Sequence, residues 1–281
     1  MNNIEKIAIV ILTKNEELHI ARCLDYCLKL TNNIYVVDSL SEDNTVCIAE
    51  SKGANVIKRE WDGYANQYNF INKYLQNKFE WIFRVDADEI VSNELVQEIK
   101  SMIKKLDNTF SGISIPRRIT FLRQKIRYGG VFPCHLVRIA RPKYSKCEGL
   151  IDEHIVVSGK IHYLKEELLD DSLISLSSWI SKHNKYSSLE ALQLFNSRKN
   201  KSYFDEKFKM SFKSRCRRIV KDKFFNNSPI FLRSLIYFLI RYILFFGFLD
   251  GIRGLGFHFL QAFWYRFIVD MKVYEILKKN D

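Results

Sequence analysis

The chain has 281 residues and six cysteines, Cys23, Cys27, Cys47, Cys134, Cys147 and Cys216, and no two of them form a Cys-x-x-Cys pair. That spacing excludes a zinc ribbon, which needs paired thiolates, and it lacks the density of a disulfide scaffold. Cys23 and Cys27 fall one helical turn apart and are expected to pack as small apolar groups. Reduced cysteines fit a cytosolic setting. Neither a Gly-x-Gly-x-x-Gly run nor a Walker loop occurs, which removes dinucleotide oxidoreductases and P-loop ATPases. No nucleic-acid-binding motif is visible either. Met1 to Lys6 leads straight into an apolar run, so no secretory leader is expected.

What is present is globular: 47% hydrophobic and 27% charged residues, in a chain long enough to bury a core. The net charge of +12 is uneven, because eleven basic and three acidic residues fall between Arg198 and Lys223. Such a block suits a polyanion, either an anionic membrane surface or, with Tyr203, Phe204, Phe208 and Phe212 interleaved, nucleic acid. With no motif to support it, nucleic acid is not expected as a partner.

Strand and helix patterns alternate through the first hundred residues. Ile7 to Leu12, Ile34 to Val37, Ala54 to Lys58 and Trp81 to Val85 read as strands; Leu18 to Leu30, Thr45 to Lys52, Tyr64 to Leu75 and Asn93 to Leu106 read as helices. That alternation predicts a mostly parallel sheet flanked by helices, with ligands beyond the carboxyl ends of the strands. Thr13, Asp38 and Asp86 fall at those ends. After about Gly112 the pattern shifts to short strands between glycines, prolines and basic residues, expected as antiparallel strands and rim loops. Leu173 to Phe195 reads as a helix.

The densest chemistry is Arg84-Val85-Asp86-Ala87-Asp88-Glu89. Carboxylates that close raise one another's pKa unless positive charge sits among them, and a divalent cation is the simplest source. Mg²⁺ is usually held by one or two carboxylates plus phosphates and water, so a metal–diphosphate site is expected here. A phosphatase of the double-aspartate type wants Thr two positions after its second Asp, and Ile90 stands there.

Residues 229–249 are apolar over nearly the ~20 residues a spanning helix needs. Arg233 and Arg241 interrupt them, each costing at least ~2.5 kcal/mol at bilayer depth. With a second apolar stretch from Leu255 to Val269, they are expected to lie in, or dip into, the membrane interface, Arg and Tyr reaching the headgroups. A soluble helical subdomain is the alternative.

Several motifs, in order, resemble the family 2 glycosyltransferases: Ala8 to Glu17, Val36-Val37-Asp38-Ser39, Ser41 to Thr45 and Asp86-Ala87-Asp88-Glu89. Trp61 to Ala65, Tyr128-Gly129-Gly130, Asp152-Glu153-His154, Trp179 to Tyr186 and Gly247 to Gly251 extend the likeness over nearly the whole chain. They make it most similar to the WaaE-like branch of β-glucosyltransferases acting on the lipopolysaccharide core. The resemblance implies an α/β fold of the GT-A type with a C-terminal helical, membrane-leaning extension. It implies a transferase domain over 1–195, with a nucleotide-sugar half at 1–111 and an acceptor half at 112–195, followed by a basic helical region at 196–281. It implies an inverting hexosyltransferase using Mn²⁺ or Mg²⁺, a nucleotide-sugar donor of the UDP-sugar kind, and a glycolipid or glycan acceptor. Such an enzyme would work in the cytoplasm against the inner face of the cell membrane.

By position, Thr13 and Glu16 would line the nucleotide pocket. Asp38 would accept from the base, Asp43 would brace its loop, and Asp86 would reach the ribose or a metal-bound water. Asp88 would ligate the metal, with His162 as a second contact. Glu153 or Asp152 would be the catalytic base, with Glu153 favoured. The acidic pair precedes His154 here, a departure from the family's usual order. Tyr68 stands where relatives carry Arg or Lys, so a phosphate contact is expected from Lys73 or Arg84 instead.

Overall fold

The computed structural model describes residues 6–149, 154–199 and 231–279, which form two compact units. The described part of the first comprises 6–118, 134–149 and 154–173. It opens with β1 (Ile7–Thr13), α1 (Ile20–Cys27), β2 (Ile34–Asp38), α2 (Thr45–Ser51), β3 (Asn55–Lys58), α3 (Tyr64–Leu75) and β4 (Trp81–Asp86). Helical crossovers join these strands, so β3, β2, β1 and β4 lie side by side and parallel. Every residue of β1 is buried. Ile7, Ile9 and Ile11 face a core shared with Ile20 and Leu24 of α1, while Ala8, Val10 and Leu12 face Tyr68, Ile71 and Leu75 of α3. Two covered faces explain the unbroken apolar run. Cys23 and Cys27 sit in the first of these cores as free thiols with their sulfurs 3.9 Å apart, and their hydrogen bond and burial push the Cys23 thiol well up.

Beyond β4 come β5 (Glu89–Val91), α4 (Asn93–Ile103) and the long β6 (Phe110–Phe121), along which the chain passes into the second unit. Ser92 caps α4 by accepting the Leu95 amide at 3.1 Å. The second unit contributes β7 (Gln124–Lys125), paired with the end of β6. Back in the first are β8 (Cys134–Ala140), β9 (Ser145–Glu148), β10 (His154–Val157), β11 (Lys160–Tyr163) and β12 (Leu168–Asp170). No helix separates β6 from β8, so they pair antiparallel, and β8 is antiparallel to β4 as well. The order is β3-β2-β1-β4-β8-β6-β12-β5, with β11 beside β6. The sheet is therefore mixed, which corrects the expectation of a mostly parallel one: the parallel run of β3, β2, β1 and β4 meets antiparallel β8, and beyond it β11 pairs parallel with β6. The sequence alone reads Gly112 to Pro116 and Ile119 to Leu122 as two strands; they belong to one, β6, which ends at Phe121.

The second unit comprises 119–133, 174–199 and 231–279 of the described residues. Its helices are α5 (Leu176–Lys199), α6 (Leu232–Leu239), α7 (Gly251–His258) and α8 (Tyr265–Lys279). Glu190 of α5 accepts from Tyr265 Oη at 2.8 Å and Arg266 at 2.6 Å, and Lys272 donates to the Asn184 carbonyl at 2.7 Å, which fixes α5 against α8. Among the described residues no single helix is long and apolar enough to cross a membrane; Leu232–Leu244 and Gly247–Lys279 meet that test only together, bent by 73°.

Candidate active site

The carboxyl ends of β1, β2 and β4 bring three expected residues to one rim. Thr13 pairs in register with Asp38, and Leu12 with Asp86. Asp38 is fully buried, and its charge is met by donors from both loops: the Thr13 hydroxyl at 2.9 Å, the Ser41 hydroxyl at 2.6 Å and the Ser41 amide at 2.8 Å. The loops after β1 and β2 are stitched further. Asn15 donates its amide to Ser41 Oγ at 2.8 Å and accepts from the Glu42 amide at 2.9 Å, and Lys14 reaches the Leu40 carbonyl at 2.6 Å. Asn15 and Leu40 both adopt left-handed backbone, with φ of 55° and 59°. For leucine that costs about 1–2 kcal/mol, and such strain persists where surrounding bonds over-determine the loop.

Asp43 holds the same corner. It accepts from the Thr45 amide at 3.0 Å and the Glu17 amide at 3.1 Å. Burial works to raise its carboxyl, but the Thr45 hydroxyl and these amides hold it below the ordinary range. Glu16 lies beside it, its amide donating to Thr45 Oγ1 at 2.7 Å. The Glu16 carboxylate meets buried His19 Nδ1 at 2.7 Å, and His19 Nε2 accepts the Leu173 amide at 2.8 Å. Because Nε2 accepts, neutral His19 donates from Nδ1 to Glu16. The first helical turn is thus tied to the chain beyond β12, a link the sequence reading missed.

At the tip of β4 the positive charge expected among the carboxylates is supplied by arginines. Arg138 of β8 donates to Asp86 Oδ2 at 2.9 Å and Glu89 Oε1 at 2.5 Å, and Arg84 donates to Asp86 Oδ1 at 3.2 Å. Arg117 of β6 faces Asp170 of β12 at 3.6 Å. Burial would raise the Asp86 carboxyl, but Arg138 and Arg84 hold it far below the carboxylate range. Glu89, only 1% exposed, goes the other way: desolvation pushes it up to about 8 against the pull of Arg138, with the Asp86 charge adding to the rise. Glu89 also accepts the Asp86 amide at 2.9 Å, which closes the turn. The crowding that pointed to a cation is answered for Asp86 and Glu89 by side chains of β4 and β8.

Asp88 is half-buried at the turn between β4 and β5, and its carbonyl accepts the Asp171 amide at 3.0 Å. Arg22 of α1 fixes Asp171 in turn, at 2.7 Å. Among the described residues no group of three or more His, Cys, Asp or Glu side chains could hold a metal ion. The donor set fits an ion that takes one carboxylate, Asp88, and fills its remaining positions with diphosphate oxygens and water. His162 does not join it. In register His162 matches Ile113, Ile113 matches Ile139, and Ile139 matches Phe83, three residues short of Asp86 and three strands away from β4. At strand spacings this is about 10 Å along and about 14 Å across the sheet. The His162 ring instead packs edge-on to Phe110, with centroids 6.0 Å apart. Asp152 and Glu153 lie outside the described residues, as does most of the basic stretch from Arg198 to Lys223.

Arg117, Arg138 and the Asp170–Asp171 pair carry much of this geometry and were not read from the sequence. Only the acidic doublet after Leu168-Leu169 offered a signal, and nothing local gives its partners.

Residues 8–162 match the glycosyl transferase family 2. An uncharacterized glycosyltransferase of Rickettsia felis is 32% identical over 213 residues, covering 71% of this chain and 74% of that one; a counterpart in Rickettsia conorii is 30% identical over the same shares. Among solved structures, glucosyl-3-phosphoglycerate synthase from Mycobacterium tuberculosis, in complex with Mn²⁺, uridine diphosphate and glucosyl-3-phosphoglycerate, is similar over 41% of this chain and 44% of its own, at 21% identity and a TM-score of 0.35. A mycobacterial protein is similar over 68% and 74%, at 13% identity and a TM-score of 0.45. The mixed sheet with its carboxylate rim defines a GT-A-like α/β transferase scaffold. The chain belongs to glycosyl transferase family 2.

Proposed function

We propose that this protein is an inverting hexosyltransferase that moves a hexose from a nucleotide-diphosphate sugar, a UDP-sugar in the first instance, to a glycan or glycolipid acceptor. The acceptor class we favour is lipopolysaccharide core or a lipid-linked surface glycan, presented at an anionic membrane surface on the cytoplasmic side. The observation that carries this reading is the convergence of Thr13, Asp38 and Asp86 on one rim in a family 2 chain, with the half-buried Asp88 just beyond them. The WaaE-like branch is favoured by the motif order alone.

The stitched loops after β1 and β2 form a preorganised cradle for the nucleoside, with Asp38 toward the base, Thr13 and Glu16 lining it, and Asp43 holding it shut. Asp86, kept anionic by Arg84 and Arg138, faces the ribose. Mn²⁺ or Mg²⁺, when bound, neutralises the departing diphosphate, and Asp88 is the residue that would hold it. Inversion takes one displacement. Glu153, or Asp152 beside it, removes the acceptor hydroxyl's proton as the new bond to the anomeric carbon forms and the bond to the diphosphate oxygen breaks.

A screen of nucleotide sugars, with Mn²⁺ or Mg²⁺ and membrane glycolipid extract as acceptor, tests the reading by the nucleotide released. UDP release that Asp88→Asn abolishes, with the fold retained, is expected. Release of inorganic phosphate, or full turnover by Asp88→Asn, would overturn it.

A further inference from the structure

The bend between α6 and α7 exposes apolar surface at a density unusual for a water-facing fold. Ile243, Leu244, Phe245, Phe246, Phe248, Leu249 and Ile252 fall within ten positions, and all are exposed, Leu244 to 66% and Ile252 to 80%. Large contiguous apolar patches of this kind mark protein or membrane contacts.

The two arginines that made this stretch costly for a membrane are turned inward. Arg233 is buried against the Asp270 carboxylate, its Nε 2.9 Å from Oδ2, and Asp270 also accepts the Phe231 amide at 3.2 Å. Arg241 is buried with its Nε donating to the Gly129 carbonyl at 2.9 Å, and its guanidinium lies over Tyr237. Neither charge interrupts the exposed apolar tip. The 73° bend, with no helix among the described residues able to span alone, suits a wedge that enters and leaves the same side of a bilayer.

The tip is also braced by hydrogen bonds and, among the described residues, carries a collar of basic side chains. The hairpin around β7 is bolted to it: the Gly129 amide donates to the Phe245 carbonyl at 2.8 Å, and the Arg127 and Tyr128 amides donate to the Asp250 carboxylate at 3.0 and 2.9 Å. Gln124 Nε2 reaches the Asp250 carbonyl at 3.0 Å. His258 is buried between two glycines of this corner. A Cβ on Gly129, where φ is 75°, would lie 2.0 Å from His258 Cε1, and one on Gly247 would lie 2.6 Å from Cδ2. On this frame Arg123, Lys125, Arg127 and Arg253 are exposed, together with Leu122 and Tyr128. Asp250 is the single acid in 119–130 and 243–256, and it is buried.

We propose that this tip is the surface by which the protein docks on an anionic lipid leaflet, with the 243–252 side chains among the acyl chains and the four cations at the phosphate level. The inference rests on the membrane-surface part of the function proposed above and assigns it to these residues. Charge decides the occupant: a second copy would bring two collars of the same sign together, whereas anionic headgroups complement one.

Flotation of the full chain with vesicles of phosphatidylcholine alone, or mixed with phosphatidylglycerol, tests it. The protein is expected to float with the mixed vesicles, less so with the neutral ones. The double variant Phe246→Asp, Leu249→Asp should lower the bound fraction tenfold or more. Both side chains are exposed, and the left-handed backbone at Phe246 accommodates aspartate. The triple variant Arg123→Glu, Lys125→Glu, Arg253→Glu should abolish the preference for anionic vesicles. Unchanged flotation of the double variant overturns the proposal. So does a chain that ignores vesicles but dimerises, and becomes monomeric with the same substitutions. UDP release measured on the same samples separates the two readings: turnover without flotation sinks the tip alone, and flotation without turnover sinks the transferase alone.

Discussion

Replacing Arg138 with methionine asks directly what keeps the acidic turn after β4 together. The side chain is 5% exposed and bonds the Asp86 carboxylate at 2.9 Å and the Glu89 carboxyl group at 2.5 Å. A hydrogen bond to a charged partner contributes about 1.5–3 kcal/mol, and removing one partner of a buried ion pair costs about 3–5 kcal/mol. Asp86 keeps Arg84 at 3.2 Å, and Glu89 keeps the Asp86 amide at 2.9 Å, so the low end applies, about 3 kcal/mol. Methionine has nearly the stem length of arginine, which limits any cavity. With two compact units the whole chain has no single unfolding free energy. The readout is therefore hydrogen exchange at the β4 and β8 amides, where protection should fall by about two orders of magnitude. Added Mn²⁺ should not restore it. A loss under about 1 kcal/mol, or recovery with Mn²⁺, would show that a cation and not Arg138 holds the carboxylates together, and the electrostatic reading of the turn would fail.

Two further outcomes follow from the same geometry. Glu89 titrates near 8 in the folded protein against an ordinary 4.5, so its protonated form favours the fold. That contribution is complete below about pH 4.5 and is lost as pH rises toward 8; Glu89→Gln should flatten the decline in β4 protection across this window, and an unchanged slope would refute the assignment. In the second unit, Gly129→Ala should cost about 2 kcal/mol or more, because its Cβ would strike His258. Exchange in α7 should report the loss, and wild-type protection there would contradict the packing.

The parallel half of the sheet was legible because its strands are covered on both faces. The apolar, mostly β-branched run Ile7 to Leu12 and the aromatic-led Trp81 to Val85 leave little else for the chain to do. The Thr13–Asp38–Asp86 rim followed, since residues at the ends of adjacent parallel strands must converge. What failed was non-local. The ribbon of β5 and β12 joins three-residue strands too short to show a period, with Glu89 opposite Asp170. Arg138 meets Asp86 and Glu89 only because β8 runs antiparallel to β4. His162 looked ligand-like beside other family motifs, but the register of β11 on β6 sets it below the rim. Arg233 and Arg241 read as charges in an apolar stretch because their partners, Asp270 and the Gly129 carbonyl, lie 37 and 112 positions away in the chain.

The most direct measurement of the central claim is titration calorimetry of a UDP-hexose into the full chain, with and without Mn²⁺. If Asp88 and the rim residues organise a cation-bridged diphosphate, the metal should tighten donor binding tenfold or more, the donor should tighten metal binding by the same factor, and Asp88→Asn should remove the coupling. Donor and metal that bind independently, or coupling that survives Asp88→Asn, would contradict it.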